Sequence, residues 1–218
     1  MDLKAMAGEA AARLVEHGQL VGLGTGSTAE YAIRALARRR GIEITGIATS
    51  IATERLAATL HIPLVDVDEV EHVDITIDGA DAVDPWGKMI KGMGGALFRE
   101  KVVASLSKRY VVVVDESKLV NALNIPVPVE VAPFGLRHCA RRLEALGCRA
   151  RLRTSASGAF ITDNGNRILD CIFGEIQDPH GLDRALKRTL GVVETGLFLD
   201  LRPEVIVGAH DGVRTLLF

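Results

Sequence analysis

The order of apolar runs and helical periodicities predicts an α/β fold: a doubly wound, mostly parallel sheet with helices on both faces, and a smaller α+β lobe inserted near its carboxyl end. Three observations carry this. Short apolar segments alternate with helical ones through the first half of the chain. One of them, Tyr110–Val114, is apolar throughout, as in a parallel strand covered on both faces. The second half then reads βαββαβ, the order of a ferredoxin-like unit.

Taken in order, Leu3, Ala7, Ala10, Ala11, Leu14 and Val15 fall at helical spacing and stop at Gly18, a C-terminal cap. Leu20–Leu23 is a strand that breaks into Gly24-Thr25-Gly26-Ser27-Thr28, and Ala29–Arg39 is the following helix. Ile44–Ala48 is a strand, Ala52–Leu60 a short helix, and Val73–Asp78 a strand opening into a long loop. Ala96–Leu106 is a helix before the Tyr110–Val114 strand. Beyond Asp115-Glu116-Ser117-Lys118 the pattern changes and Pro126 and Pro128 punctuate it, which marks a boundary. Strands at 127–131, 149–153, 167–173 and 192–199 and helices at 136–146 and 182–190 then form the lobe. Val205–Ala209 is a strand returning to the first sheet. The expected domains are therefore 1–126 plus 205–218, and 127–204.

Composition narrows the function classes. The 218 residues include 22 glycines and are 48% apolar, enough for a sizeable core and incompatible with disorder. Lys and Arg total 26 against 28 Asp and Glu, so no global field draws nucleic acid or an anionic membrane, and neither is expected as a partner. Cys139, Cys148 and Cys171 form no metal-like or CxxC pair and suit a reducing compartment. No signal-peptide pattern or membrane-length apolar run is present, so a soluble cytoplasmic protein is expected.

In an open parallel sheet, ligands sit beyond the carboxyl ends of the strands. The first loop there, residues 22–28, offers backbone N–H groups, hydroxyls and a helix start, which suits a phosphate; the bland alternative is a tight turn without a ligand. Gly24-x-Gly26-x-x-Ala29 also matches a permissive dinucleotide fingerprint, yet Thr49-Ser50 stands where that reading needs a ribose-binding acid. The GK[ST] ending of an ATP-type loop is absent as well. Asp78, Asp81 and Asp84 lack calcium-loop spacing, so no metal is expected, and Asp84 before Pro85 suits a turn cap. Trp86 reads as a packing residue.

The third loop, Lys91-Gly92-Met93-Gly94-Gly95, leads into a helix carrying Glu100 in its first turns. Glycines admit a substrate to the backbone, Lys91 can neutralise an oxyanion, and Glu100 can exchange a proton with carbon. Standing by itself, Glu100 would equally suit a solvated helix-face acid. Lys118 brings another cation to the same edge. The six histidines form no metal or nucleophile motif, and the arginine runs 38–40 and 141–142 read as solvated or dipole-capping groups.

Together, VGLGTGSTAE, TIDGAD, IKGMGGALFREK, VDESK, PVPVEV and ITDNGN occur in an order and spacing that resembles the ribose-5-phosphate isomerase type A family over essentially the whole chain. The resemblance implies a Rossmann-like domain with a smaller α+β lobe. It implies interconversion of ribose 5-phosphate and ribulose 5-phosphate through an enediol in the pentose phosphate pathway, without cofactor, by a homodimer or higher homo-oligomer. It also implies site residues: Thr25, Gly26, Ser27 and Thr28 in the phosphate and sugar loop; Asp78, Gly79, Ala80 and Asp81 in the acidic loop, with Asp78 or Asp81 assisting ring opening and holding hydroxyls; Lys91, Gly92, Met93 and Gly94 in the lysine-glycine loop, with Lys91 stabilising the enediolate oxygen; Glu100 as general base; and Lys118 at a strand end. Lys4 matches an N-terminal lysine found near the phosphate in some members. Met93 departs from the family's glycine and would be costly if the position required a positive φ. Two rival classes are a sugar-phosphate sensor, which has no need of both Lys91 and Glu100, and a nucleotide-dependent oxidoreductase, already weakened by the missing acid.

Overall fold

A computed structural model describes residues 2–218. The first half runs α1 (Leu3–Ala12), β1 (Leu20–Leu23), α2 (Ser27–Arg38), β2 (Thr45–Ala48), α3 (Ile51–Thr59), β3 (Val73–Gly79), β4 (Ala82–Val83), β5 (Met89–Ile90), α4 (Leu97–Ser105) and β6 (Ser107–Asp115). It continues with β7 (Val127–Val131), α5 (Leu136–Glu144), β8 (Arg149–Leu152), β9 (Thr154–Ser155), β10 (Gly158–Ala159), β11 (Arg167–Ile172), α6 (Pro179–Lys187), β12 (Val192–Thr195), β13 (Leu197–Phe198), β14 (Glu204–Ala209) and β15 (Gly212–Leu217).

The chain divides into two compact units: residues 1–80, 99–119 and 201–218 form the first, and residues 81–98 and 120–200 the second. The division departs from the expected one. Residues 81–98 and 120–126 go with the smaller unit because β4 and β5 pair with β13, and Val120 N–H donates to Val83 C=O.

The first unit is built on a six-stranded sheet of order β15-β14-β6-β3-β1-β2, parallel except for the edge strand β15. Val21 and Leu23 of β1, with Ile75 and Ile77 of β3, pack on one face with Ala7 and Ala11 of α1 and Ile33 and Leu36 of α2. Gly22 and Thr76, one residue out of phase, turn to the other face, where a Cβ at Gly22 would meet Val103 of α4. Sequence order reverses between β1 and β3, which puts the switch point, and its crevice, between those two strands. The antiparallel β14–β15 hairpin was not anticipated, although the His210-Asp211 turn before Gly212, at φ 134°, marks it in retrospect.

In the second unit, strands β12-β7-β11-β8 make an antiparallel sheet whose order is that of a ferredoxin-like βαββαβ unit. Val127, Val129 and Val131 face a core with Leu143 of α5 and Leu186 of α6. Helix α6 starts at Pro179, ahead of the expected Leu182, because Asp178 caps it by accepting the Gly181 N–H. The expected 192–199 strand splits at Gly196. Its N–H donates to Pro128 C=O and its C=O accepts from Lys91 N–H, so the chain leaves one sheet and joins β5 in another. Trp86 is 69% exposed rather than packed. Among the described residues no helix is long and apolar enough to cross a membrane.

Candidate active site

The first unit brings Thr25, Gly26, Ser27, Thr28, Asp78, Gly79, Ala80, Glu100 and Lys118 to the carboxyl edge of its sheet, since they follow the adjacent strands β1, β3 and β6 or begin the helix after β3. Asp78, fully buried at the end of β3, accepts the Thr25 N–H (3.0 Å) and its neighbour's Gly79 N–H (2.8 Å) on Oδ1. Gly24 is glycine because a Cβ there would collide with Asp78. Thr25 Oγ1 lies 2.8 Å from the hydroxyls of both Thr49 and Ser50, and Thr53 Oγ1 donates to Gly24 C=O at 2.9 Å. The hydroxyls that replace a ribose-binding acid at the end of β2 thus bind the loop together. Thr49, Ser50 and Thr53 were not singled out as site residues; their only signal was the polar pair at a strand end.

Gly26 takes φ 108° to turn the chain into α2, leaving Gly26 and Ser27 exposed at that helix's N-terminus. There the macrodipole and the first amides favour an anion. Lys4 of α1 donates from Nζ to Ser27 Oγ at 2.9 Å, which brings the N-terminal lysine to this loop. Glu100, in the first turn of α4, is 3% exposed, and Lys118 is half-buried on the short turn after β6.

The second unit brings together Asp81, Lys91, Gly92, Met93 and Gly94. Lys91 follows β5, is 2% exposed, and holds its ammonium 5.2 Å from the centre of the Phe198 ring, a cation–π arrangement. Asp81 Oδ2 accepts the Met93 N–H at 3.0 Å. Gly92 and Gly95 take φ of 103° and 86°, whereas Met93 does not lie in the left-handed region, so methionine costs this turn no backbone strain. Asp84 accepts the Trp86 and Lys88 N–H groups, the capping role expected of it. Among the described residues no group of three or more His, Cys, Asp or Glu side chains is placed to hold a metal.

Comparison with known proteins identifies relatives over almost the whole chain. Residues 45–212 match the family described as ribose 5-phosphate isomerase A (phosphoriboisomerase A). A ribose-5-phosphate isomerase A from Thermomicrobium roseum is 52% identical over 98% of this chain and 92% of its own, and one from Bacillus mycoides is 45% identical over 98% and 99%. The ribose 5-phosphate isomerase A structure from Methanocaldococcus jannaschii superposes with a TM-score of 0.95 at 41% identity, over 100% of this chain and 99% of that one. A D-ribose-5-phosphate isomerase solved in complex with phospho-erythronic acid gives 0.96 at 38% identity, over all of both chains. With a family match over residues 45–212 and a relative 52% identical over 98% of its length, the chain belongs to the ribose 5-phosphate isomerase A family.

Proposed function

We infer that the protein interconverts D-ribose 5-phosphate and D-ribulose 5-phosphate through an enediol, as part of the pentose phosphate pathway. The observation that carries this is Glu100: a carboxylate almost fully buried in the first turn of α4, in a chain that matches isomerase relatives over 98% of its length. Glu100 takes the proton from C2 and returns it to C1. Lys91 and backbone donors stabilise the oxyanion that forms meanwhile. The loop from Thr25 to Thr28, with Lys118 and Lys4, anchors the phosphate, so that binding energy far from the reacting carbons is spent on orientation.

The two aspartates divide their work. Asp78 is fully buried with Oδ1 accepting two amides, which suits holding the first loop in shape. Asp81 is half-buried and suits contact with the sugar, so we assign it the assistance of ring opening. Three free thiols fit a cytoplasmic enzyme, and the family's habit supports a homo-oligomer, which light scattering would test.

The direct experiment mixes the protein with ribose 5-phosphate after exhaustive chelation and measures ketose. Ribulose 5-phosphate is expected to form without added metal or cofactor. Tight binding of sugar phosphate with no ketose would favour a sensor instead.

A further inference from the structure

The turn from Lys91 to Gly95 is closed by the Gly95 N–H donating to Gly92 C=O at 3.0 Å, but it is rich in glycine, whose order costs more conformational entropy than that of any other residue, so its shape needs support from outside as well. Within the second unit the supporting group is Arg153, which follows β8. Its Nη1 donates to Gly92 C=O at 2.7 Å and Met93 C=O at 3.0 Å. Asp170 on β11 holds the guanidinium, accepting from Nε at 3.0 Å and from Nη2, and leaves the pair electrically neutral. The Phe160 ring, 6.0 Å from the guanidinium carbon, also abuts Gly95, where a Cβ would collide with it.

These bonds determine where the turn's amides point. The Gly92–Met93 peptide is gripped at both ends, its C=O by Arg153 and its N–H by Asp81. The next peptide is gripped by its Met93 C=O alone. Because the peptide is planar and trans, the N–H of Gly94, an exposed residue, faces away from Arg153. We propose that Arg153, braced by Asp170, is a positioning residue for the isomerisation: it fixes the turn so that the Lys91 ammonium and the Gly94 amide keep the direction needed at the developing oxyanion. This rests on the role given to Lys91 above. Arg153 touches no reacting atom, and its effect belongs to turnover more than to substrate affinity.

The test measures kcat and KM with ribose 5-phosphate for Arg153→Ala, Arg153→Lys, Asp170→Asn and Lys91→Ala, alongside circular dichroism and thermal midpoints. Arg153→Ala is expected to stay folded, lose about 10- to 100-fold in kcat and keep its KM, the penalty of a slightly misplaced group. Free guanidinium at non-denaturing concentration should restore part of that kcat, whereas sodium chloride of equal ionic strength should not. Arg153→Lys should recover only part of it, because an ammonium cannot reproduce the planar fork. A kcat of Arg153→Ala, per folded protein, within about twofold of the parent overturns the proposal. Should Arg153→Ala fail to fold, Asp170→Asn decides, and full turnover there also overturns it. Normal turnover in Lys91→Ala would remove the reading beneath; an inactive Lys91→Ala beside a fully active Arg153→Ala would remove the positioning role alone.

Discussion

At Asp78 one buried oxygen receives two amides, and the first loop depends on that junction. Replacing it with alanine leaves the Thr25 and Gly79 N–H groups without this acceptor, so Asp78→Ala should lose about 1–3 kcal/mol of stability in denaturant unfolding. Glu100 separates differently. Glutamine keeps its volume but cannot accept a proton from carbon, so Glu100→Gln should bind sugar phosphate and remain folded while kcat falls by about 10²–10⁴. Near-normal turnover would take the base role from Glu100. Both aspartates, Lys91 and Glu100 were legible as candidates from residue type and neighbours. Arg153 was not, because its partners lie 60 and 61 residues away and nothing local distinguishes it from other strand-end arginines.

Elements place these residues, and α1 shows how. It lies against both α2 and β14 by way of glycines: a Cβ at Gly8 would meet Tyr31 and the Ala32 backbone, and one at Gly208 would collide with the Leu3 backbone. Asp2 caps the helix and accepts the Tyr31 hydroxyl as well. Gly208→Ala should therefore push the start of α1 off the sheet and carry Lys4 away from Ser27, raising KM for sugar phosphate more than it lowers kcat. Unchanged kinetics with a lowered thermal midpoint would show that Lys4 contributes nothing to binding. Most helices and longer strands were readable from period and caps, but β4, β5 and β13 are two residues each, too short to display a period.

Across the whole first unit, Asp74 joins three strands near the start of β3: it accepts the Leu20 N–H at 3.0 Å and the Lys108 ammonium at 3.0 Å. The Leu20 amide foremost, and Lys108 next, hold its carboxyl below the usual range. A depressed folded-state value stabilises the protein above the unfolded value of about 3.9, and that contribution is lost as pH falls through the folded value. Asp74→Asn should thus unfold at a lower temperature than the parent at pH 7, with the gap closing below about pH 4. A gap independent of pH would exclude the linkage. A net charge of −2 leaves no overall field to draw a phosphorylated sugar, so the proposed phosphate site would rely on the local positive groups of this unit, Lys4, Lys118 and the N-terminus of α2.

Alternating periods, glycine-rich strand ends and a lysine-to-glutamate spacing were enough to read the fold class and to nominate the residues whose chemistry suits a site, because each is encoded within a few neighbouring positions. What had to await folding was the set of long-range choices: the two-residue strands that draw 81–98 into the smaller unit, the hydroxyls of Thr49, Ser50 and Thr53 closing on Thr25, and the Arg153–Asp170 brace on the Gly92 and Met93 carbonyls. Those contacts are chosen by packing between segments far apart in the chain, where local propensity carries no information.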